Sequence, residues 1–162
     1  MAREPQIVLG IDPGYGRMGF GVIKSIGREV QALDFGCLDT PTGTDFGRRL
    51  HLIHLAVKKI CDKYKPDVAV IEELFFTNNA KTAIKVGEAR GVIYLTLLLC
   101  GVKILEYTPL EIKQAVTGDG RADKVQIEKM VRMLIGEKKR ITPDDAADAL
   151  AGALTGVYCS RR

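Results

Sequence analysis

An α/β fold, a mixed sheet of about five strands with helices on both faces, is predicted by three features of the sequence. Three strand-like runs follow one another at the N-terminal end, joined by short turns, which describes an antiparallel meander. Further strand-like runs then alternate with amphipathic stretches, which describes crossovers onto a sheet. The first and fourth runs are short and almost wholly apolar, as strands covered on both faces are.

The first strand is Ile7 to Asp12, ended by Pro13-Gly14, and Asp12 is its first polar side chain. Gly19 to Lys24 reads as the second strand, and Gly27-Arg28 turns into a third from about Val30 to Leu38. Phe46, Leu50, Ile53, His54, Val57, Ile60 and Cys61 recur at three- and four-residue spacing, so Thr44 to Tyr64 is predicted as a helix stopped by Pro66. Val68 to Glu72 is the fourth strand. Ala80 to Cys100 is a long helix with Thr77, Asn78 or Asn79 as its cap, and Val102 to Leu105 a fifth strand. Three helical stretches follow: Leu110 to Val116, Asp123 to Ile135 and Pro143 to Tyr158, separated by glycine-containing turns.

The chain of 162 residues, 46% of them hydrophobic, has the size and apolar content of one domain and shows no linker or repeat. Its net charge of +4 suits a protein that meets polyphosphate without wrapping itself in it. Cys37, Cys61, Cys100 and Cys159 are scattered and accompanied by only two histidines, which argues for reduced thiols and against zinc. The N-terminus lacks the pattern of a secretory signal, and the apolar run Val92 to Cys100 is too short to span a bilayer, so a cytoplasmic location is expected.

Carboxylates mark where chemistry is expected. Asp12 closes the first strand and Glu72 the fourth, and strand ends are where α/β proteins place ligands. Asp144, Asp145 and Asp148 lie in the first turns of the last helix, with 145 and 148 on one face. Asp144 fits a capping role. Asp148 stands among alanines and Leu150, on an apolar face where an acid without a partner would be costly, which favours function. Glu72 and Glu73 point to opposite faces of their strand, and spacing alone does not choose between them. Converging carboxylates repel one another unless a cation sits among them, and oxygen donors without sulfur or nitrogen favour Mg²⁺ or Mn²⁺. Two such ions activate water and stabilise the leaving oxygen in phosphodiester cleavage.

Gly14, Gly16 and Gly19 match a dinucleotide-binding spacing, but that fingerprint needs a helix after the loop, whereas Phe20 to Ile23 reads as a strand. The glycines are expected to form a tight hairpin turn. Ala80, Ala83, Gly87 and Gly91 make a stripe of small residues on the long helix, available either to a second chain or to this chain's own sheet.

Ile11-Asp12-Pro13-Gly14 with Gly19-Phe20-Gly21, Ile71-Glu72-Glu73-Leu74-Phe75, Gly87-Glu88-Ala89-Arg90-Gly91, Lys113-Gln114-Ala115-Val116 and Asp145-Ala146-Ala147-Asp148-Ala149-Leu150, in that order, resemble the RuvC family of bacterial Holliday junction resolvases. The resemblance extends over nearly the whole chain. It implies one ribonuclease H-like nuclease domain over residues 1–162, acting in recombination and DNA repair. It further implies a homodimer that nicks two strands of like polarity, symmetrically, across a four-way junction supplied by a branch-migration motor complex. The implied metal ligands and catalytic residues are Asp12, Glu72, Asp145 and Asp148, with two Mg²⁺ ions per site or Mn²⁺ in their place; Glu72 is thereby preferred to Glu73 and Asp145 to Asp144. Phe75 matches an aromatic that stacks on a base at the opened junction, with Phe76 as its rival. Lys113 and Lys124 match lysines that touch DNA, and Arg121 flanks the same glycine turn.

Two rival readings share some of these features. An Asp-Pro-Gly turn between antiparallel strands also occurs in actin-like ATPases and sugar kinases, which need a second such domain that this chain has no room for. A nuclease of the same fold acting on RNA or RNA–DNA hybrid would carry similar acids, and a junction-binding scaffold would carry them without cutting.

Overall fold

The computed structural model describes residues 4–73 and 80–159. Its elements are β1 (Gln6–Asp12), β2 (Arg17–Ile26), β3 (Glu29–Asp39), α1 (Phe46–Tyr64), β4 (Val68–Glu72), α2 (Ala80–Leu99), β5 (Lys103–Tyr107), α3 (Pro109–Thr117), α4 (Lys124–Ile135) and α5 (Asp144–Cys159). The five strands form one sheet in the order β3-β2-β1-β4-β5. β1, β2 and β3 are the expected antiparallel meander, and β4 and β5 add parallel to the other edge of β1.

Helix ends follow local chemistry. Asp45 accepts a hydrogen bond from the Arg48 amide and opens α1, and Lys65 closes it in a left-handed conformation just before Pro66. Thr108 with Glu111, and Asp123 with Gln126, form reciprocal capping boxes that open α3 and α4. Gly118 and Gly136 close those helices with positive φ, where a side chain would be strained. The expected caps of α2, Thr77, Asn78 and Asn79, lie outside the described residues.

Side chains alternate across each strand, so the sheet sorts them onto two cores. Leu9, Ile11, Val22, Ala69 and Ile71 face α1 and α2, where Ile53, Val57, Ile93 and Leu97 are buried against them. Val8, Ile23 and Val70 face α5, which α3 and α4 cover from outside. Residues 146, 147 and 149–157 of α5 are all buried, so this helix is enclosed on every side.

The second face is closed by absence of side chains. A Cβ on Gly10 would lie 1.8 Å from the Ala149 carbonyl oxygen, and one on Gly19 would lie 2.1 Å from that of Asp145. The backbone of α5 therefore rests directly on β1 and β2. Of the two readings of Gly19, last of the turn glycines or first residue of the second strand, the second holds. Gly14 and Gly16 do lie between β1 and β2, but Gly19 is inside β2, opposite Asp12, and seats the start of α5.

The two glycines of the α2 stripe are not used for packing among the described residues. A side chain on Gly87 or Gly91 would meet none of them within 4 Å, and the helix packs through Ala89, Ile93, Thr96 and Leu97 instead. No helix among the described residues is long and apolar enough to cross a membrane.

Candidate active site

Asp12 and Glu72 reach one edge of the sheet by register. Parallel β1 and β4 place Ile11 opposite Ile71, so the next residue of each strand, Asp12 and Glu72, emerges at the same end. Both share the parity of Val8 and Val70, the side chains on the α5 face, while Glu73 has the opposite parity and is exposed. The Glu73 amide instead donates to the Tyr107 carbonyl at 2.9 Å.

Asp145 and Asp148 arrive from α5. The contact of Gly19 with the Asp145 backbone brings the first turn of the helix beside the end of β1. Asp12, Glu72, Asp145 and Asp148 line one cleft of about 360 Å³, together with Lys113 of α3 and Lys124 of α4. Asp144 occupies the first position of α5 and is exposed, away from that lining. Arg121 is exposed, its amide held by Asp119 Oδ1 at 2.8 Å, and it does not line the cleft. Phe75 and Phe76 lie outside the described residues.

The electrostatics follow from burial and like charge. Desolvation, then repulsion from Asp148, Glu72 and Asp145, pushes the Asp12 carboxyl up to about 8. Burial also raises Glu72 and Asp148, with Lys124 opposing the rise in both and Lys113 in Glu72. At the rim, Lys124 Nζ lies 3.7 Å from Asp148 Oδ2, and an Arg17 guanidinium nitrogen 3.9 Å from Asp145 Oδ2. Among the described residues no three His, Cys, Asp or Glu side chains close on a single point as a metal shell does. The cleft thus gathers hard oxygen donors at a protonation cost that a divalent cation would relieve, and the donor set fits Mg²⁺ or Mn²⁺.

The sequence reading missed a group beside the acids. Arg17 binds Asp39 through its Nε at 2.6 Å across the β2–β3 ladder, which holds it near Asp145. Thr40 Oγ1 donates to the Tyr15 carbonyl at 2.5 Å, and Arg49 donates to Thr40 Oγ1 at 2.9 Å and to the Thr40 carbonyl at 3.0 Å. These bonds fix the turn that follows Asp12. The one signal in the sequence was an aromatic and a cation, Tyr15 and Arg17, within a turn otherwise made of glycine and proline.

A five-stranded mixed sheet with acids gathered at the ends of its two central strands is that of the ribonuclease H-like nucleases. The family model for crossover junction endodeoxyribonuclease RuvC matches residues 8–156. A protein of that description from Caldicellulosiruptor saccharolyticus is 49% identical over 154 residues, covering 94% of this chain and 93% of its own. Another, from Rubrobacter xylanophilus, is 45% identical over 160 residues, covering 99% of this chain and 89% of its own. The solved structure of Thermus thermophilus RuvC in complex with Holliday junction substrate aligns with a TM-score of 0.92 at 34% identity, covering 96% of this chain and 95% of that one. The chain belongs to the crossover junction endodeoxyribonuclease RuvC family.

Proposed function

We propose that this chain, as one nuclease domain, cuts four-way DNA junctions by divalent-metal-dependent hydrolysis at the acidic cleft, and that it does so as a homodimer. The observation that carries the reading is the arrival of four carboxylates from three separate elements in one cleft flanked by Lys113 and Lys124. Asp12, Glu72, Asp145 and Asp148 are the residues that would hold the metal. Mg²⁺, two ions per site, or Mn²⁺ would supply Lewis-acid activation of water and stabilise the leaving oxygen.

The chain's own residues do the rest. Asp12 is central because its charge is opposed by the three other acids, so its ionised form gains most from a cation. Lys113 and Lys124 stand where backbone phosphates would approach the acids, and contact there positions the strand without reading its sequence. Lys124 exchanges Asp148 for phosphate as DNA enters. Arg121, on the turn between them, takes a phosphate further out. Phe75 follows the Glu72 strand and stacks on a base at the opened crossover, worth about 1–3 kcal/mol.

Dimerisation is supported by the outer face of α2. Ile84, Leu95 and Leu98 are 62%, 57% and 57% exposed, beside Gly87 and Gly91, above which no described residue lies within 4 Å of an added Cβ. A second copy laid on this face by two-fold symmetry would give two sites for two symmetric nicks. The junction would be delivered by a branch-migration motor complex.

The test is incubation with Mg²⁺ and a labelled four-way junction, beside linear duplex and RNA–DNA hybrid of matched sequence. Paired nicks confined to the junction are expected, and cutting of the hybrid in preference would transfer the activity to RNA processing. Asp148→Asn should abolish cleavage, at least about 100-fold by analogy with losing a metal's stabilisation of the transition state, and retain junction binding. Unchanged cleavage by that variant would remove the acids from the mechanism.

A further inference from the structure

We propose that Tyr15, Arg49 and Lys85 form a second site for DNA backbone phosphate, on the α1/α2 side of the acidic cleft and opposite Lys113 and Lys124. The proposal rests on the junction-cutting reading above. Tyr15 stands three residues beyond Asp12, in the turn at the sheet edge where the acids gather, and packs on the α1/α2 core. Arg49 of α1 lies over its ring at 5.3 Å from the centroid, and Lys85 Nζ of α2 at 5.6 Å. Lys85 is also 5.5 Å from the Phe46 ring, which meets Tyr15 edge-on.

The two cations differ in one respect from Arg17 and Lys124, which stand nearest the acids. Arg17 is paired with Asp39 and Lys124 with Asp148, whereas among the described residues neither Arg49 nor Lys85 has a carboxylate within ion-pairing distance. An aromatic face holds a cation in place without cancelling its charge. Arg49 is further fixed by Thr40 through its Nε and one terminal nitrogen, and its other terminal nitrogen has no hydrogen-bond acceptor among the described residues, which leaves it for an outside one. Two uncompensated positive charges thus sit on one ring, against elements that cannot easily move apart.

The sheet places these charges and the two lysines on opposite sides of the acids. Lys113 and Lys124 come from α3 and α4 on the α5 side, and Arg49 and Lys85 from the helices on the other side. A DNA strand crossing the sheet edge to present a phosphodiester to Asp12 therefore meets a grip before and after the bond to be cut. Held at both ends, the backbone cannot slide along the cleft, which sets which phosphate faces the acids. The chemistry recognised is the phosphate anion, so the contact is independent of base sequence.

Salt dependence of junction binding tests this. Fluorescence anisotropy in EDTA, with a four-way junction and the full chain, gives log K against log salt for wild type, Lys85→Gln, Tyr15→Leu and the control Lys103→Gln at the opposite end of the sheet. Thermal melting verifies that each variant is folded. Lys85→Gln should bind several-fold more weakly at low salt and lower the slope by about 0.9, the release from one phosphate contact. Tyr15→Leu, if its melting matches wild type, should do the same or more because it frees both cations, and Lys103→Gln should follow wild type. An unchanged slope for folded Lys85→Gln, with wild type binding normally, overturns the phosphate site alone. Failure of wild type to bind the junction overturns the function reading and this proposal with it.

Discussion

The two faces of the sheet are closed in opposite ways. On one, α5 lies against bare backbone at Gly10 and Gly19, and its own contacting residues are mostly alanine and glycine. On the other, α1 and α2 stand off on isoleucine, leucine and valine side chains. Close approach without side chains leaves little room for adjustment, so the first face fixes a position while the second mainly supplies apolar burial. It is the fixed face that carries Asp145 and Asp148 to the level of Asp12. The other face leaves leucines in water and cations on rings, surfaces that suit contact with other molecules.

The largest effect expected from this contrast is at Gly10. Gly10→Val would drive side-chain atoms into the Ala149 carbonyl, and a loss of more than about 4 kcal/mol, seen as failure to fold or a collapsed denaturation midpoint, is expected. A stable Gly10→Val protein would show that α5 can move, and that the acids are not fixed by it.

Asp12→Asn tests the strain that the fixed face creates. A carboxyl raised in the folded state from 3.8 to about 8 binds a proton that the unfolded chain has already lost. Its contribution is therefore fully present below about pH 4 and lost as pH rises through about 8. In EDTA the variant should overtake wild type in stability across that window, by on the order of a few kcal/mol at pH 8. Added Mg²⁺ should raise the melting temperature of wild type and leave Asp12→Asn nearly unmoved. Parallel pH profiles for the two proteins would contradict the crowding of charge at β1.

A smaller loss is expected on the other face. Ile93, fully buried between α2 and the sheet, should cost only about 0.5–1.5 kcal/mol on replacement by valine, because neighbouring side chains can close in. If Ile93→Val cost as much as Gly10→Val, the distinction between the faces would fail.

Much of this architecture could be read directly. The strand and helix boundaries agree with the periodicities to within about two residues because each depends on neighbours close in the chain. Why a glycine stands at position 19 is not legible from the sequence, because what it seats, the Asp145 backbone, is more than a hundred residues away. The same distance hid the meeting of the acids: spacing left Glu72 and Glu73 level, and it is the pairing of β4 with β1 that gives Glu72 the parity of the α5 face. The α2 stripe was equally ambiguous until the helix showed a different set of residues turned inward. Arg49 drew no attention because its partners, Thr40 and Tyr15, are assembled only by the return of β3 to the first turn.

The enclosure of α5 has a consequence for how the enzyme fails. Its amides are shielded by the sheet beneath and by α3 and α4 above, so hydrogen exchange there requires opening of the molecule as a whole. Half of the proposed catalytic acids ride on this segment, which is expected to exchange slowest. Rising denaturant should therefore leave the cleft intact until the cooperative transition, and nuclease activity and far-ultraviolet dichroism should disappear together.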